Sequence, residues 1–182
     1  MTWTNSDGLT VKFGVEEAAI ARGGQTVDAN GDYNHTFYID YRDVLSATAA
    51  ILGSVAGPDA VGSYGVVVPK GLLVHSVEVL TETAPTSSGT VASANLVMGF
   101  IRDDLSTTYD VDGLSTTSFV IGTVLETAGE RVNLVPGATG AGALIGTTLA
   151  NDGVIVVANS THASHPYTAG KWRVTVKGFY PG

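Results

Sequence analysis

Asp28, Asn30 and Asp32 in DANGDYN (28–34) stand at the first, third and fifth ligand positions of a calcium loop. Such a loop also needs glycine at its sixth position, for the sharp turn, and a bidentate acid at its twelfth. Here those positions hold Tyr33 and Ile39, and Asp40 arrives one residue late. The stretch therefore reads as a polar turn built on Asn30-Gly31, leading into a strand. A second acidic group, Asp103, Asp104, Asp110 and Asp112, gathers around YDVDGL (109–114). Paired carboxylates can hold a metal or exchange protons. Flanking an Asp-Gly turn between two strands, they instead suit backbone bonding in a solvated loop. His162 and His165 in HASH lie three apart, but Pro166 disfavours the helix that would align them, and no further ligands stand nearby. Neither a metal nor a cofactor is expected.

Nucleophilic and phosphate chemistry find equally little. Gly62-Ser63-Tyr64-Gly65 lacks the G-x-S-x-G spacing of a nucleophile elbow. Gly170-Lys171 is followed by Trp172 and has no upstream glycine at phosphate-loop spacing. GATGAGALIG (137–146) does not follow the dinucleotide pattern and reads as a loop. His75 falls in alternation with Leu73 and Val77, which predicts a hydrogen-bonded core histidine rather than a base. No catalytic residue is expected.

Composition narrows the partners. The chain has 182 residues and a formal net charge of −8, so clustered Lys and Arg for a nucleic-acid backbone are not on offer. Charged residues make up 14%, against roughly 25% in typical domains. A surface with few strongly hydrated groups is easier to cover with another protein. There is no cysteine, hence no disulfide and no thiolate metal site. MTWTNSDG lacks the pattern of a secretory leader, and no apolar run approaches the ~18 residues of a membrane span. No membrane partner and no secretion step are expected.

Strand signals dominate the positioning elements. LTVKFGV (9–15), TFYIDYR (36–42) and KWRVTVKGFY (171–180) alternate, and ANLVMGFI (94–101) puts Leu96, Met98 and Phe100 on one face. GVIVVA (153–158) is apolar on both faces and suits a central strand. VVVPKGLLVHSVEVL (66–80) reads as two strand segments broken at Pro69-Lys70-Gly71, with Leu73, Val77 and Val79 inward and Ser76 and Glu78 outward. SFVIGTVLE (118–126) predicts one more strand. Short helices are expected over 15–21 and 43–52, the latter capped by Asp43. Residues 23–34 and 53–65 are expected to be loops or arms. No internal repeat or linker divides the chain, so one domain spans 1–182, with 1–35 a possible N-terminal arm. The class is all-β: an antiparallel β-sandwich or barrel.

The opening MTWTNSDGLTVKFG, the Pro69-x-Gly71 turn into LLVHSVEVL, the stretch NLVMGF with the acidic turn DVDGL, and the end GALIGTTL with YTAGKWRVTVKGFY together resemble a family of tailed-bacteriophage virion proteins. These look like head decoration, or cement, proteins. The resemblance implies a jelly-roll-like sandwich and a homotrimer near threefold positions. It also implies attachment to the major capsid protein on the outer capsid surface after synthesis in the host cytoplasm, and no catalysis. GSVAGPDAVGSY (53–64) and HASHPY (162–167) depart from the family's rhythm. Competing readings are a tail or fibre module and a carbohydrate-binding adhesion sandwich. The latter would draw on Tyr33, Tyr64, Tyr109 and Tyr167.

An acidic chain docking on another protein needs a local exception. One candidate is the N-terminal segment, with Trp3 ahead of the alternating Leu9, Val11 and Phe13. The other is the outward face of the last strand, where alternation puts Lys171, Arg173 and Lys177 on one side.

Overall fold

The computed structural model describes residues 2–4, 10–13, 24–28, 30–44, 66–102, 108–110, 113–114, 119–120, 125–134, 144–159 and 164–180. Twelve strands run through them. They are β1 (Thr2–Thr4), β2 (Thr10–Phe13), β3 (Gly24–Val27), β4 (Asp32–Asp40), β5 (Val66–Val68), β6 (Leu73–Ser87), β7 (Asn95–Arg102), β8 (Thr108–Asp110), β9 (Phe119–Val120), β10 (Arg131–Leu134), β11 (Gly153–Asn159) and β12 (Tyr167–Phe179). Two 3-10 turns, Tyr41–Asp43 and Val91–Ser93, complete the described elements, which include no α-helix. The all-β expectation holds.

Seven strands form one sheet in the order β1-β2-β3-β4-β12-β6-β10, and five form a second, β5-β11-β7-β8 with β9 also pairing β7. Every pairing is antiparallel. The centre of the larger sheet follows directly from alternation. On β4, Tyr33, His35, Phe37 and Ile39 are buried while Asp32, Asn34, Thr36, Tyr38 and Asp40 face outward. On β12, Trp172, Val174 and Val176 are wholly buried. Val174 sits opposite Phe37 on one side and Val79 on the other, so cross-strand neighbours share one apolar row. From the smaller sheet, Leu96, Met98 and Phe100 of β7 are buried as their alternation predicts, and they join the same hydrophobic cluster.

β6 departs from simple alternation. Lys177 pairs with Ser76 but Gly178 pairs with Val74, so His75 is an extra residue opposite β12. A bulge of this kind resets the side-chain phase. Val74 and Val77, three apart, both turn inward, while Leu73 leaves the inward set and His75 becomes exposed. The core histidine expected at 75 is thus on the surface, and Leu73 is only partly buried. A second extra residue, Glu82, lies between Thr81 opposite Trp172 and Thr83 opposite Lys171.

The turn expected at Pro69 is present: Leu72 N–H donates to Pro69 O at 3.3 Å, with Gly71 at φ +87°. Positive φ at this third position is a glycine role. The turn carries the chain from β5 in one sheet to β6 in the other.

Other expectations are corrected. Residues 23–34 contain β3 and the start of β4 rather than a loop. The expected N-terminal arm runs through β1, β2 and β3, each hydrogen-bonded to the next and then to β4. Of the strand expected over 118–126, the described residues show Phe119–Val120 as strand and bends from Leu125, while 118 and 121–124 lie outside the described residues. β10, unanticipated, pairs with β6 through four residues. Asp43 closes a 3-10 turn. The rest of 43–52, the helix expected over 15–21, and residues 53–65 lie outside the described residues.

Candidate functional site

The calcium-like stretch folds as a β3–β4 turn whose acid serves the backbone. Asp28 Oδ1 accepts from the N–H groups of Asn30 (2.9 Å) and Asp32 (2.8 Å). The backbone closes the same turn, with Gly31 N donating to Asp28 O at 3.0 Å and Asp28 N to Asp32 O at 3.1 Å. This is the Asx arrangement that makes aspartate a turn former. Gly31 has φ +88°, and a Cβ there would collide with the carbonyl oxygen of Tyr180. Tyr180 N in turn donates to Gly31 O at 2.7 Å, so the residue after β12 clamps the turn. Tyr33 and Ile39, at the missing ligand positions, point into the core. Among the described residues no three His, Asp or Glu side chains converge as a metal would require.

Next to this turn lies a groove of about 460 Å³, lined by Asp28, Asp32, Tyr33, Asn34, His75, Lys177 and Gly178. Two features of the fold build it. The bulge places His75 on the outward side of β6. Gly178 lets β6 approach closely, because a Cβ there would strike the carbonyl of Leu73 and come within 2.8 Å of Leu72 Cδ1. The groove offers an ammonium, an imidazole and carboxylates.

The groove opens onto the outward face formed by β4, β12, β6 and β10, and the structure arranges that face as charge pairs. Arg173 Nε lies 3.4 Å from Glu82, and Arg131 lies 3.8 Å from Glu78 across the β10–β6 pair. Arg42 binds Asp40 through Nε at 2.8 Å and Nη2 at 3.1 Å. Lys171 Nζ stands 5.1 Å from the centre of the Tyr38 ring, a cation–π contact. Lys177 has no ion pair among the described residues and projects into the groove with Asp28 and Asp32. Exposed pairs of this kind add only about 0–1 kcal/mol each. Their larger effect is to cancel charge: among the described residues, Asp28, Asp32, Asp40, Glu78 and Glu82 stand along this face with Arg42, Arg131, Lys171, Arg173 and Lys177.

Lys171, Arg173 and Lys177 therefore do line one side of β12, as alternation predicts, but two of the three are engaged by neighbours. Trp3 and Val11 sit opposite each other in the β1–β2 pair, and Phe13 pairs with Gly24. Leu9 lies outside the described residues. β3 and β4 stand between β2 and β12, so the two candidate docking regions are separated by roughly 14 Å of sheet at the usual strand spacing.

Of the remaining candidates, His165 Nδ1 accepts from Thr90 N–H at 3.0 Å, and its carbonyl accepts from Asn159 Nδ2 at 2.8 Å. It secures a connection rather than a ligand. His162, Asp103, Asp104, Asp112, Ser63, Tyr64 and residues 137–143 lie outside the described residues. Asp110 lies in β8 opposite Phe100. Tyr33 and Tyr167, named for a carbohydrate platform, are buried.

Three polar residues escaped the reading of the sequence. His35 is buried at 2% exposure, its Nδ1 3.0 Å from the Tyr33 hydroxyl and its ring edge-on to Phe37. The signal was available: His35 alternates with Tyr33, Phe37 and Ile39. Tyr167 OH and Trp172 Nε1 are buried without a hydrogen-bond partner among the described residues, and their rings meet edge-on at 5.4 Å. Burial pushes the ionisation of Tyr167 well above the ordinary tyrosine range. Nothing local in the sequence marks these two atoms.

Comparison with protein-family models, with curated proteins and with solved structures yields no match.

Proposed function

We propose that this chain is a non-enzymatic structural protein of a tailed-bacteriophage particle. In this reading it is a cement protein: a jelly-roll-like sandwich that docks as a homotrimer on the outer capsid surface and stabilises the shell through the major capsid protein. The observation that carries the reading is the resemblance of the MTWTNSDGLTVKFG opening, the Pro69-x-Gly71 strand break and the YTAGKWRVTVKGFY end to such virion proteins. The broad outward face of β4, β12, β6 and β10 supports it, because an acidic chain needs a charge-cancelled surface to lie against another protein.

The physical action would be linkage. A protein that binds only the expanded shell stabilises that state by the free energy of binding. The test is a cryo-electron microscopy map of the particle. Density for this chain at threefold positions on the outer shell is the expected result. Density along the tail would replace the cement role with that of a tail or fibre module.

A further inference from the structure

We propose that Asn30 is a site of spontaneous covalent modification: its side-chain amide is lost through attack by the backbone nitrogen of Gly31, at a rate governed by the β3–β4 turn. Asn30-Gly31 is the one Asn-Gly pair in the chain. Asparagine is a thermolabile residue, most of all before glycine, where no Cβ shields the attacking nitrogen. Asn30 is exposed, so water reaches its amide. In the first step the Gly31 nitrogen gives up its proton and bonds to Cγ of Asn30. The side-chain nitrogen takes up a proton and leaves as ammonia, and a five-membered succinimide closes. In the second step water adds to one of the two ring carbonyls. Breaking the bond from nitrogen to Cγ gives aspartate. Breaking the bond from nitrogen to the backbone carbonyl carbon gives isoaspartate, whose main chain runs through the former side chain. Water is the only co-reactant, and nothing is oxidised or reduced.

The fold holds this reaction back at each atom it needs. Gly31 N–H, whose proton must leave, donates to Asp28 O at 3.0 Å. The N–H groups on either side of it, from Asn30 and Asp32, both donate to Asp28 Oδ1. Gly31 O accepts from Tyr180 N at 2.7 Å. The nitrogen is free to attack only when these contacts open, so the modification follows local opening of the turn. The two products then differ. Aspartate at position 30 keeps the main chain, takes the net charge one unit below −8, and sets a third carboxylate between Asp28 and Asp32. Isoaspartate adds a methylene to the main chain directly before Gly31. That position has no slack, since even a Cβ on Gly31 would collide with the carbonyl oxygen of Tyr180. Isoaspartate therefore breaks the clamp between the turn and the end of β12.

The test is peptide mapping by mass spectrometry after incubation of the purified chain in mildly alkaline buffer. Aspartyl and isoaspartyl peptides are separated by chromatography. Three samples are compared: folded wild type, wild type unfolded in urea, and Asp28→Ala, whose folding is confirmed by circular dichroism. Folded wild type is expected to lose its amide at Asn30 ahead of every other asparagine. The loss should be severalfold faster in urea, with Asp28→Ala falling between the two. The isoaspartyl fraction should melt below the unmodified chain, whereas Asn30→Asp, which carries the charge without the extra methylene, should melt like wild type. A folded wild type that keeps its amide at Asn30 while other asparagines are modified overturns the proposal. So does a loss as fast in the folded chain as in urea, or a folded Asp28→Ala that reacts no faster than wild type.

Discussion

Tyr167 places a hydroxyl where no described residue satisfies it, beside the indole N–H of Trp172, which likewise has no partner among the described residues. A buried polar atom without a partner carries its full desolvation penalty, about 1–3 kcal/mol. Tyr167→Phe is therefore expected to raise the free energy of urea unfolding by about 1 kcal/mol. A loss of similar size would mean that the hydroxyl holds a partner, such as an ordered water. The same residue gives a pH dependence. Its folded-state ionisation is raised by burial, so its contribution to stability is fully present below the ordinary tyrosine value of about 10 and falls as pH rises beyond it. Alkaline unfolding of Tyr167→Phe should accordingly shift to higher pH, read by far-ultraviolet circular dichroism. Substitution at Asp28 is expected to destabilise. Removing an acceptor shared by two backbone N–H groups in Asp28→Ala should cost about 1 kcal/mol, and unchanged stability would show that the Asx turn is dispensable.

Among the elements, β4 and the 171–178 stretch of β12 were readable because each alternates and buries the face that alternation selects, and β7 because Leu96, Met98 and Phe100 share a buried face. β6 was readable as a strand but not in phase, since no local signal separates a bulge at His75 from continued pleating. The information lies in Gly178 on the partner strand, whose missing Cβ makes the close approach possible. β3 and β10 were hidden for a different reason. GQTV and RVNL are four residues each, too short to stand out from turns, and their pairing with β4 and β6 defines them. The groove was invisible for the same cause: it joins residues 28–34, 75 and 177–178, which only the register brings together. Deleting His75 tests the bulge. The deletion should force Leu73 and Val74 to exchange faces and lower the melting temperature by roughly 5 °C or more, as expected for a few kcal/mol in a domain of this size. A deletion variant that melts like wild type would show that β6 repairs its own register.

At the scale of the molecule, the class was legible and the assembly was not. Alternating strands and Gly-rich turns sufficed for an all-β reading. The cancellation of charge on one face depends on neighbours such as Arg173 and Glu82, which meet across two strands. Because Asp28 is a turn former and no three ligands converge among the described residues, folding is expected to be independent of calcium and zinc. Chelator should leave the melting temperature unchanged, and a drop of many degrees would place a metal in this chain.

The position of β12 has a further consequence, for synthesis. This strand lies between β4 and β6, bonded to both along most of its length, so the middle of the larger sheet is the part made last among its strands. Thr36 and Thr175, whose hydroxyls meet at 3.1 Å, are 139 residues apart in the chain. Until residues 167–179 leave the ribosome, β4 and β6 each carry an open edge toward the other, the condition under which strands pair with the wrong chain. The sheet then closes from its centre in one late step, with most of its loop-closure entropy charged to that step. Refolding should accordingly take milliseconds to seconds rather than microseconds, as stopped-flow tryptophan fluorescence through Trp172 would record. A nascent chain stalled before residue 167 should be protease-sensitive throughout β4 and β6, and acquire protection only when β12 is released.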